Sequence, residues 1–576
     1  MTKYLVTSAL PYANGPLHFG HLAGVYIPAD IYTRHKKLSG ERAIHICGSD
    51  EHGVAIMLNA QKAKVPYKEY VDGWHKEHKA LFDSFNIDFE YFGQTSSDYH
   101  AEEVLPWFSA LHEKGMIEPR DGQQLQCNDC HNHLPDRFVS GQCYECGYEH
   151  ARGDECPNCG IIIDSVKLIN PECQICGSKS IKEVTVTQYY LTLSKAHEKY
   201  REWLSQKIPE FRKTVGNYVD SLTKEGLHDR AISRDLDWGI DVPLAQAVGK
   251  KLYVWFDAPI GYFSNTKQWL KETGSSEDYK ADWWTNPETK IEHFIGKDNI
   301  IFHCIIFPVM SMMSEQVNAC SDVPANQYLN LEGKQFSKSA GWYVDAKDAV
   351  EKFGSDALRY YLTAISPEAS DSSFTWDGFQ ARLNGELANN IGNLVNRCLK
   401  FWKKNWGEGM SENALTSYQK VEKVKELSDK LKIVRESLDT KEIKKGLEVA
   451  MQMGHMTNEY FSDRAPWASF KEDPAVAELT IAETGAMILI VAAALNPFLP
   501  ELSNNMFQLF GDVSRESMAK IYQGDFLEIE KIFKAAGGAP VKAPKALVPK
   551  IEDDVITALK QPVSYTHLTL PTILLV

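Results

Sequence analysis

Pro11-Tyr12-Ala13-Asn14-Gly15-Pro16-Leu17-His18-Phe19-Gly20-His21 is the stretch that decides how this chain folds. Tyr4-Leu5-Val6-Thr7 ahead of it is apolar and β-prone, a buried strand. The Pro/Asn/Gly cluster ends that strand, and Leu22 to Ile31 resumes at helical spacing. Two histidines thus fall where a first strand turns into a first helix. That edge of an α/β sheet offers backbone N–H groups and a positive helix end to phosphate. Gly20 admits a ligand close to the backbone, and imidazoles three apart on a helical turn point the same way. A helix start with two surface histidines explains an isolated H-x-G-H about as well; the strand–turn–helix setting favours nucleotide binding.

The next strand, Ala43 to Gly48, leads to Asp50 at its carboxyl end. There a carboxylate either meets a ligand or caps a helix. From 74 to 116 the pattern is helical and amphipathic. The chain, with 576 residues, is long enough for three to five domains at roughly 100–200 residues each. Its 77 acidic against 62 basic residues, net −15, argue against a surface coated in basic patches but leave room for local basic faces. No charged n-region with an apolar h-region leads the chain and no long uninterrupted apolar run occurs, so neither a secretory signal nor a membrane span is expected. The twelve cysteines are then expected reduced, in the cytoplasm.

Eight of those cysteines form four C-x-x-C pairs between 127 and 176, separated by gaps of 12, 9 and 13 residues. Glycine follows three of the pairs directly, at 147, 160 and 177. Each pair is a thiolate knuckle, and two knuckles make a closed, structural four-thiolate zinc site. Three pairings are open. The nested one is preferred because the short central gap closes first: Cys143, Cys146, Cys156 and Cys159 on one zinc, Cys127, Cys130, Cys173 and Cys176 on the other.

Val184 to Leu193 returns to strand-like texture. Leu252 to Tyr262 reads as a core strand with its turn, although Trp255 and Tyr262 around Ala258-Pro259 also suit an apolar side-chain pocket. Ile291 to Asp298 is a strand ending in Gly-Lys-Asp, and Phe302 to Phe307 begins a helix. The loop from Glu332 to Gly341 carries two lysines and two serines; beside phosphate, its charge would act as negative charge develops. From about 344 to 535 the chain is helical, with Leu383, Leu387, Ile391, Leu394, Cys398 and Trp402 as a core stripe. Asn393 and Arg397 lie on another face, and Trp467 follows a proline at a helix break; both suit RNA, and both have ordinary solvated or core explanations. Residues 535–549 have linker composition, and Pro562 to Val576 reads as a truncated frame or a non-native tail.

His18-Phe19-Gly20-His21 and Phe336-Ser337-Lys338-Ser339 together resemble the two signatures of class I aminoacyl-tRNA synthetases. Ala9 to Gly15, Leu134 to Phe138, Val254 to Tyr262, Phe294 to Asp298 and Ala465-Pro466-Trp467 narrow the resemblance to the methionyl family. The resemblance implies a Rossmann-type parallel-sheet α/β catalytic domain split by a zinc-binding insertion, then an all-α anticodon-binding bundle. It divides the chain as 1–116 and 231–335 (catalytic halves), 117–230 (insertion), 336–385 (signature loop and stem contact), 386–535 (anticodon bundle) and 536–576 (linker and tail). It implies ATP with Mg2+, methionine and tRNA(Met) as partners, adenylate formation, then transfer to tRNA. His18, Gly20, His21, Asp298, Ser337 and Lys338 would hold ATP, with His18, His21 and Lys338 catalytic. Leu10, Tyr12, Asp50, Trp255, Ala258, Pro259, Tyr262 and His303 would hold methionine, Asp50 taking its ammonium. Asn393, Arg397 and Trp467 would read the anticodon. Gln335 stands where the family has its first signature lysine, with Lys334 one residue earlier. Homodimerisation would need a C-terminal module that many relatives carry. The isoleucine, leucine and valine enzymes share the signatures but carry a far larger insertion, and a zinc-ribbon RNA-binding protein would leave the paired signatures unexplained.

Overall fold

The computed structural model describes residues 2–153, 156–159, 161, 163–336, 342–542 and 547–560. The strands that position the site are, in chain order, β1 (Lys3–Ser8), β2 (Arg42–Ser49), β3 (Tyr91–Gln94), β4 (Ile117–Cys127), β5 (Ile181–Leu191), β6 (Thr289–Gly296) and β7 (Ala325–Asn326). Five of them form one parallel sheet in the order β7-β6-β1-β2-β3. Leu5, Val6, Ile44, Ile46 and Ile295 are fully buried, as expected of parallel strands covered on both faces. The order reverses between β1 and β6, and the crevice outside the strand ends at such a switch point is where α/β sheets bind ligands. β3 falls inside the span read as unbroken helix. At four residues on the sheet edge it is too short to carry a period.

Phe19–His21, Leu22–Tyr26 and Ile27–Leu38 run on as one helix, α1, with a π-helical second segment. Leu252 to Tyr262 corrects the strand expectation. Only Lys250–Leu252 is strand; Val254–Asp257, Ala258–Ile260 and Gly261–Thr273 are successive helical segments. Apolar density in an eleven-residue run does not distinguish a buried strand from a buried helix, which is why periodicity misled here.

The insertion is a long antiparallel ribbon of β4 on β5, registered from Ile117 opposite Leu191 to Cys127 opposite Ile181. The cysteine knuckles sit at its tip around a small core of Leu125, Leu134, Phe138 and Val139. That core also includes Val54 and Met57 of the catalytic half, so the tip is anchored beside the sheet.

The C-terminal bundle is built on α2 (Asn393–Trp406), α3 (Ile443–Arg464), α4 (Pro466–Glu472) and α5 (Pro474–Leu495). The stripe from Leu383 to Trp402 is buried at every position, and a Cβ on Gly485 of α5 would lie 2.4 Å from the Trp402 ring. α5 is long and apolar enough to cross a membrane by length and composition, but 72% of its most apolar 18-residue window is buried in the protein, as the central helix of a bundle. Arg359 fastens this bundle to the catalytic half. Its fully buried guanidinium donates to Asp30 of α1 (2.7 Å) and to the carbonyl oxygens of Phe498 (2.9 Å) and Phe85 (3.1 Å). The segment expected to be a linker and stray tail is corrected in part. Residues 547–560 return to the protein, where Asn384 pairs with both the N–H (2.9 Å) and the carbonyl (2.8 Å) of Ile551, and Ile556 is buried. Buried Ile551 and Ile556, with Leu547, Val548, Val555 and Leu559 packed partly buried against the core, dock it.

Candidate active site

A cavity of about 680 Å3 opens at the carboxyl ends of β1, β2, β6 and β7. Of the residues expected there, Leu10, Tyr12, His18, Gly20, His21, Asp50, Trp255 and Asp298 line it. His18 caps α1. Gly20 N–H donates to His18 Nδ1 (3.1 Å), and His18 N–H donates to His21 Nδ1 (3.1 Å). With Nδ1 the acceptor on each ring, the proton of each neutral imidazole sits on Nε2. A Cβ on Gly20 would come within 2.9 Å of the His18 ring, so glycine is what lets that ring fold over the helix start. Phe336 stacks on His18 at 4.4 Å and 5°, which joins the second signature to the first. Ser337 and Lys338 lie outside the described residues. Gln335 lines the cavity, while the Lys334 ammonium sits 5.2 Å from the Trp342 ring.

Asp50 follows β2, and its backbone is tied to the signature turn: its N–H donates to Pro11 O (2.9 Å) and its carbonyl accepts from Ala13 N–H (2.8 Å). The residue is 5% exposed, and its Oδ1 has no hydrogen-bond partner. Burial, and then the charge of nearby Asp257, push its carboxyl well above the usual range. A buried carboxylate oxygen without a partner, on a cavity wall, is a site for a cation. Asp257 itself is held by His52, Nδ1 to Oδ2 at 2.7 Å.

Ala258, Pro259, Tyr262 and His303 are placed differently from the expectation. They are buried one layer behind the cavity wall, with Tyr262 1% and His303 2% exposed. Ala258, Pro259 and Tyr262 lie in the successive helical segments of 254–273, and His303 in the π-helical turn Phe302–Ile306. His303 accepts from Tyr262 O–H (2.8 Å) and donates Nδ1–H to Asn299 O (3.0 Å); burial lowers its pKa to about 4, so it is a neutral prop. Trp255 lies face to face on Phe302 at 3.7 Å. Sequence reasoning missed Asp136, Arg137, Arg234 and Tyr328. Arg234 donates to Asp136 (2.9 Å) over the Tyr253 ring, and Tyr328 bonds Asp298. Asp136 and Arg137 come from between cysteine pairs, and no local pattern carries an insertion residue back to the sheet edge.

The eight knuckle cysteines fall into the nested sets Cys127, Cys130, Cys173, Cys176 and Cys143, Cys146, Cys156, Cys159, the sulfurs of each set lying within 4.8 Å of one another. Sγ–Sγ distances are 3.6 Å (Cys127–Cys176), 3.8 Å (Cys130–Cys173), 3.9 Å (Cys143–Cys159) and 3.6 Å (Cys146–Cys156). A tetrahedron with Zn–S bonds of about 2.3 Å has edges of about 3.8 Å, so either set fits a closed metal site. Gly147 (φ 75°) and Gly177 (φ 73°) make the left-handed turns that return an N–H to Cys143 O and Cys173 O.

On the bundle, Asn393 and Arg397 are exposed one turn apart on α2, and Trp467 is 41% exposed on α4. The Arg397 guanidinium lies 5.1 Å from the Trp467 ring and 5.2 Å from Phe461. Ala465, at φ 38°, makes the sharp break that turns Trp467 outward.

Residues 4–399 match the family of class I tRNA synthetases (M), and residues 411–565 match the anticodon binding domain of methionyl tRNA ligase. Methionine--tRNA ligase of Bacteroides fragilis (strain YCH46) is 40% identical over 559 residues, 96% of this chain and 80% of that protein. The enzyme of that name from Methanopyrus kandleri is 39% identical over 561 residues, 96% of this chain and 82% of its own. The structure of Mycobacterium tuberculosis methionyl-tRNA synthetase in complex with methionyl-adenylate superposes with a TM-score of 0.73 at 24% identity, over 95% of this chain and 100% of that one, a match of fold. By these sequence matches, the chain whose signature turn and Asp50 share one cavity belongs to the methionine--tRNA ligase family of class I tRNA synthetases.

Proposed function

We propose that this chain activates methionine with ATP and transfers it to tRNA(Met), with the cavity at β1 and β6 as the site of both steps. The observation that carries this reading is Asp50, whose unpartnered carboxylate oxygen lines the same cavity as His18 and His21. Asp50 takes the methionine ammonium as an ion pair strengthened by the dry surroundings. The methionine carboxylate then attacks the α-phosphorus, and the bond to the bridging oxygen of the β-phosphate breaks to release pyrophosphate. His18 and His21 donate Nε2–H to phosphate oxygens, positioning rather than taking protons. Lys338 adds charge that counts most as the α-phosphorus becomes five-coordinate. Mg2+ arriving with ATP would neutralise the β- and γ-phosphates.

In the second step a ribose hydroxyl of the terminal adenosine attacks the methionyl carbonyl, and AMP leaves. A second cavity of about 1310 Å3 shares Asp136, Arg234, Tyr253, Trp255 and Asp298 with the first and opens between insertion and sheet. It is wide enough for an unpaired RNA end. The two thiolate sets hold structural zinc, and Asn393, Arg397 and Trp467 read the CAU anticodon. A cytoplasmic location belongs to the same reading. The test is charging of a CAU-anticodon tRNA transcript with methionine, against a transcript whose anticodon is changed. Methionyl-tRNA is expected from the first only; equal charging of both would remove the anticodon assignment, and no charging would remove the transfer step.

A further inference from the structure

We propose that Asp257 is a positioning residue for methionine: clamped by His52 and His100, it locks the Asp50 loop to the turn that carries Trp255, and its charge adds to the field that draws the ammonium in. The inference rests on the assignment of Asp50 to the methionine ammonium. Asp257 ends the helical segment Val254–Asp257, two residues after Trp255 of the cavity wall, and is itself fully buried behind that wall. His52, two residues after Asp50, donates Nδ1–H to Asp257 Oδ2 (2.7 Å). His100 of the helix Asp98–Glu113 brings Nε2 to 3.6 Å from the same oxygen, and its Nδ1 is fixed 2.9 Å from Ser264 Oγ. One carboxylate thus ties the ammonium loop to the Trp255 turn and draws a third helix onto the joint.

The way this carboxylate is paired separates it from one kept only for packing. Asp30 and Glu51 are buried as deeply, yet both oxygens of each are satisfied. Asp30 accepts from Asp88 N–H (3.1 Å) on one oxygen and from Arg34 (2.8 Å) and Arg359 (2.7 Å) on the other. Glu51 accepts from Ser49 (2.6 Å) and Gln94 (3.0 Å) on one and from Ser96 on the other. Asp257 leaves its Oδ1 without a hydrogen-bond partner, as Asp50 does. A buried carboxylate left half satisfied projects its charge onto its surroundings. Burial opposes that charge, but His52 and His100 hold the Asp257 carboxyl below the usual range, while Asp50 is pushed up by burial and then by Asp257. A cation entering beside Asp50 relieves the repulsion between the two. The other groups around them leave that place open. Glu51 is turned onto its own donors, Arg137 acts on the Tyr12 phenol, and burial pushes the phenols of Tyr12 and Tyr262 up, so both stay neutral. Glu103, on the helix of His100, pairs with Lys267.

The experiment is methionine-dependent pyrophosphate exchange by the full chain across a pH series. Asp257→Asn keeps the shape and an acceptor for His52 but removes the charge. KM for methionine should rise about tenfold at neutral pH, as expected of one charge several ångströms from the ammonium. KM for ATP and kcat should stay within about twofold. The rise of methionine affinity with pH should move about one unit lower, because Asp50 has lost its anionic neighbour. A second pair of variants isolates the clamp. His52→Asn keeps an amide donor near the place of Nδ1 and should behave as wild type. His52→Leu leaves Asp257 without its donor and should raise KM for methionine about tenfold with KM for ATP unchanged. Equal increases in both KM values, an unmoved pH profile in Asp257→Asn, or His52→Asn as damaged as His52→Leu would overturn the proposal. Asp50→Asn, measured alongside, separates this from the ammonium assignment. A methionine defect there beside wild-type values in Asp257→Asn strikes only the role of Asp257, whereas wild-type values in Asp50→Asn strike both.

Discussion

Asp50 is 5% exposed, with a carboxylate oxygen that nothing in the protein satisfies, whereas Trp467 is 41% exposed and already covered on one side by Arg397. The catalytic cavity is a place where a charge has been desolvated in advance and waits for its counter-ion. The bundle face keeps its groups in water, and in the proposed function it binds with stacking and screened charge. The first arrangement makes each contact worth several kcal/mol, because breaking a buried pair leaves an uncompensated charge. The second makes each contact worth about 1–3 kcal/mol, because water competes throughout. On the proposed function, one chain places its chemistry where contacts are strong and few, and its RNA discrimination where they are weaker and many.

Substitutions on the two sides should separate accordingly. Asp50→Asn removes the buried carboxylate proposed to balance the methionine ammonium, so kcat/KM for methionine in pyrophosphate exchange should fall by about 100- to 1000-fold, with KM for ATP little changed. If KM for ATP rises in step, Asp50 organises the cavity rather than methionine. Lys338→Ala should lower the activation rate by about 100-fold while methionine affinity holds, as expected of a charge felt mainly in the transition state. Collapse of methionine affinity with a preserved rate would reverse that role. Trp467→Ala should cost about tenfold in aminoacylation and nothing in exchange; equal loss in both steps would make it a packing residue.

The pH dependence is a smaller effect of the same kind. Burial and Asp257 raise the Asp50 carboxyl, so the empty site holds a proton to a higher pH than an ordinary aspartate does. If Asp50 takes the methionine ammonium as proposed, binding favours the ionised form and releases that proton. Methionine affinity should therefore climb as pH rises through the range where empty Asp50 titrates, then level off; calorimetry in two buffers of different ionisation heat should detect the release. A flat profile, or one unchanged in Asp50→Asn, would remove Asp50 from the linkage. The smallest effect on chemistry should come from the insertion. Elemental analysis should find about two zinc per chain, and a four-thiolate site leaves no open position for reaction. Exchange should then fall under chelation only as the folded fraction falls.

The same contrast explains what the sequence could reveal. His18-Phe19-Gly20-His21 and the C-x-x-C pairs were legible because local spacing enforces their geometry: a helix cap in one case, a knuckle in the other. The stripe from Leu383 to Trp402 was legible because a helix repeats. Leu252 to Tyr262 was misjudged because dense apolar residues fit either element, and only the fold shows that Tyr262 and His303 are buried rather than on the cavity lining. Asp136, Arg137 and Arg234 were invisible as site residues. Asp136 and Arg137 reach the cavity from the insertion and Arg234 from the strand Ser233–Asp235 that follows it, and contacts across such distances leave no local signature. Ile551 was missed for the same reason, since its partner Asn384 is more than 160 residues away.

Amino-acid-dependent ATP–pyrophosphate exchange across the twenty amino acids tests the central claim most directly, because it needs the cavity and no RNA. Exchange is expected with methionine alone at saturating ATP, and at subsaturating methionine it should fall by about 100- to 1000-fold in Asp50→Asn. Exchange with isoleucine or valine in place of methionine, or full exchange retained without the Asp50 carboxylate, would contradict the account.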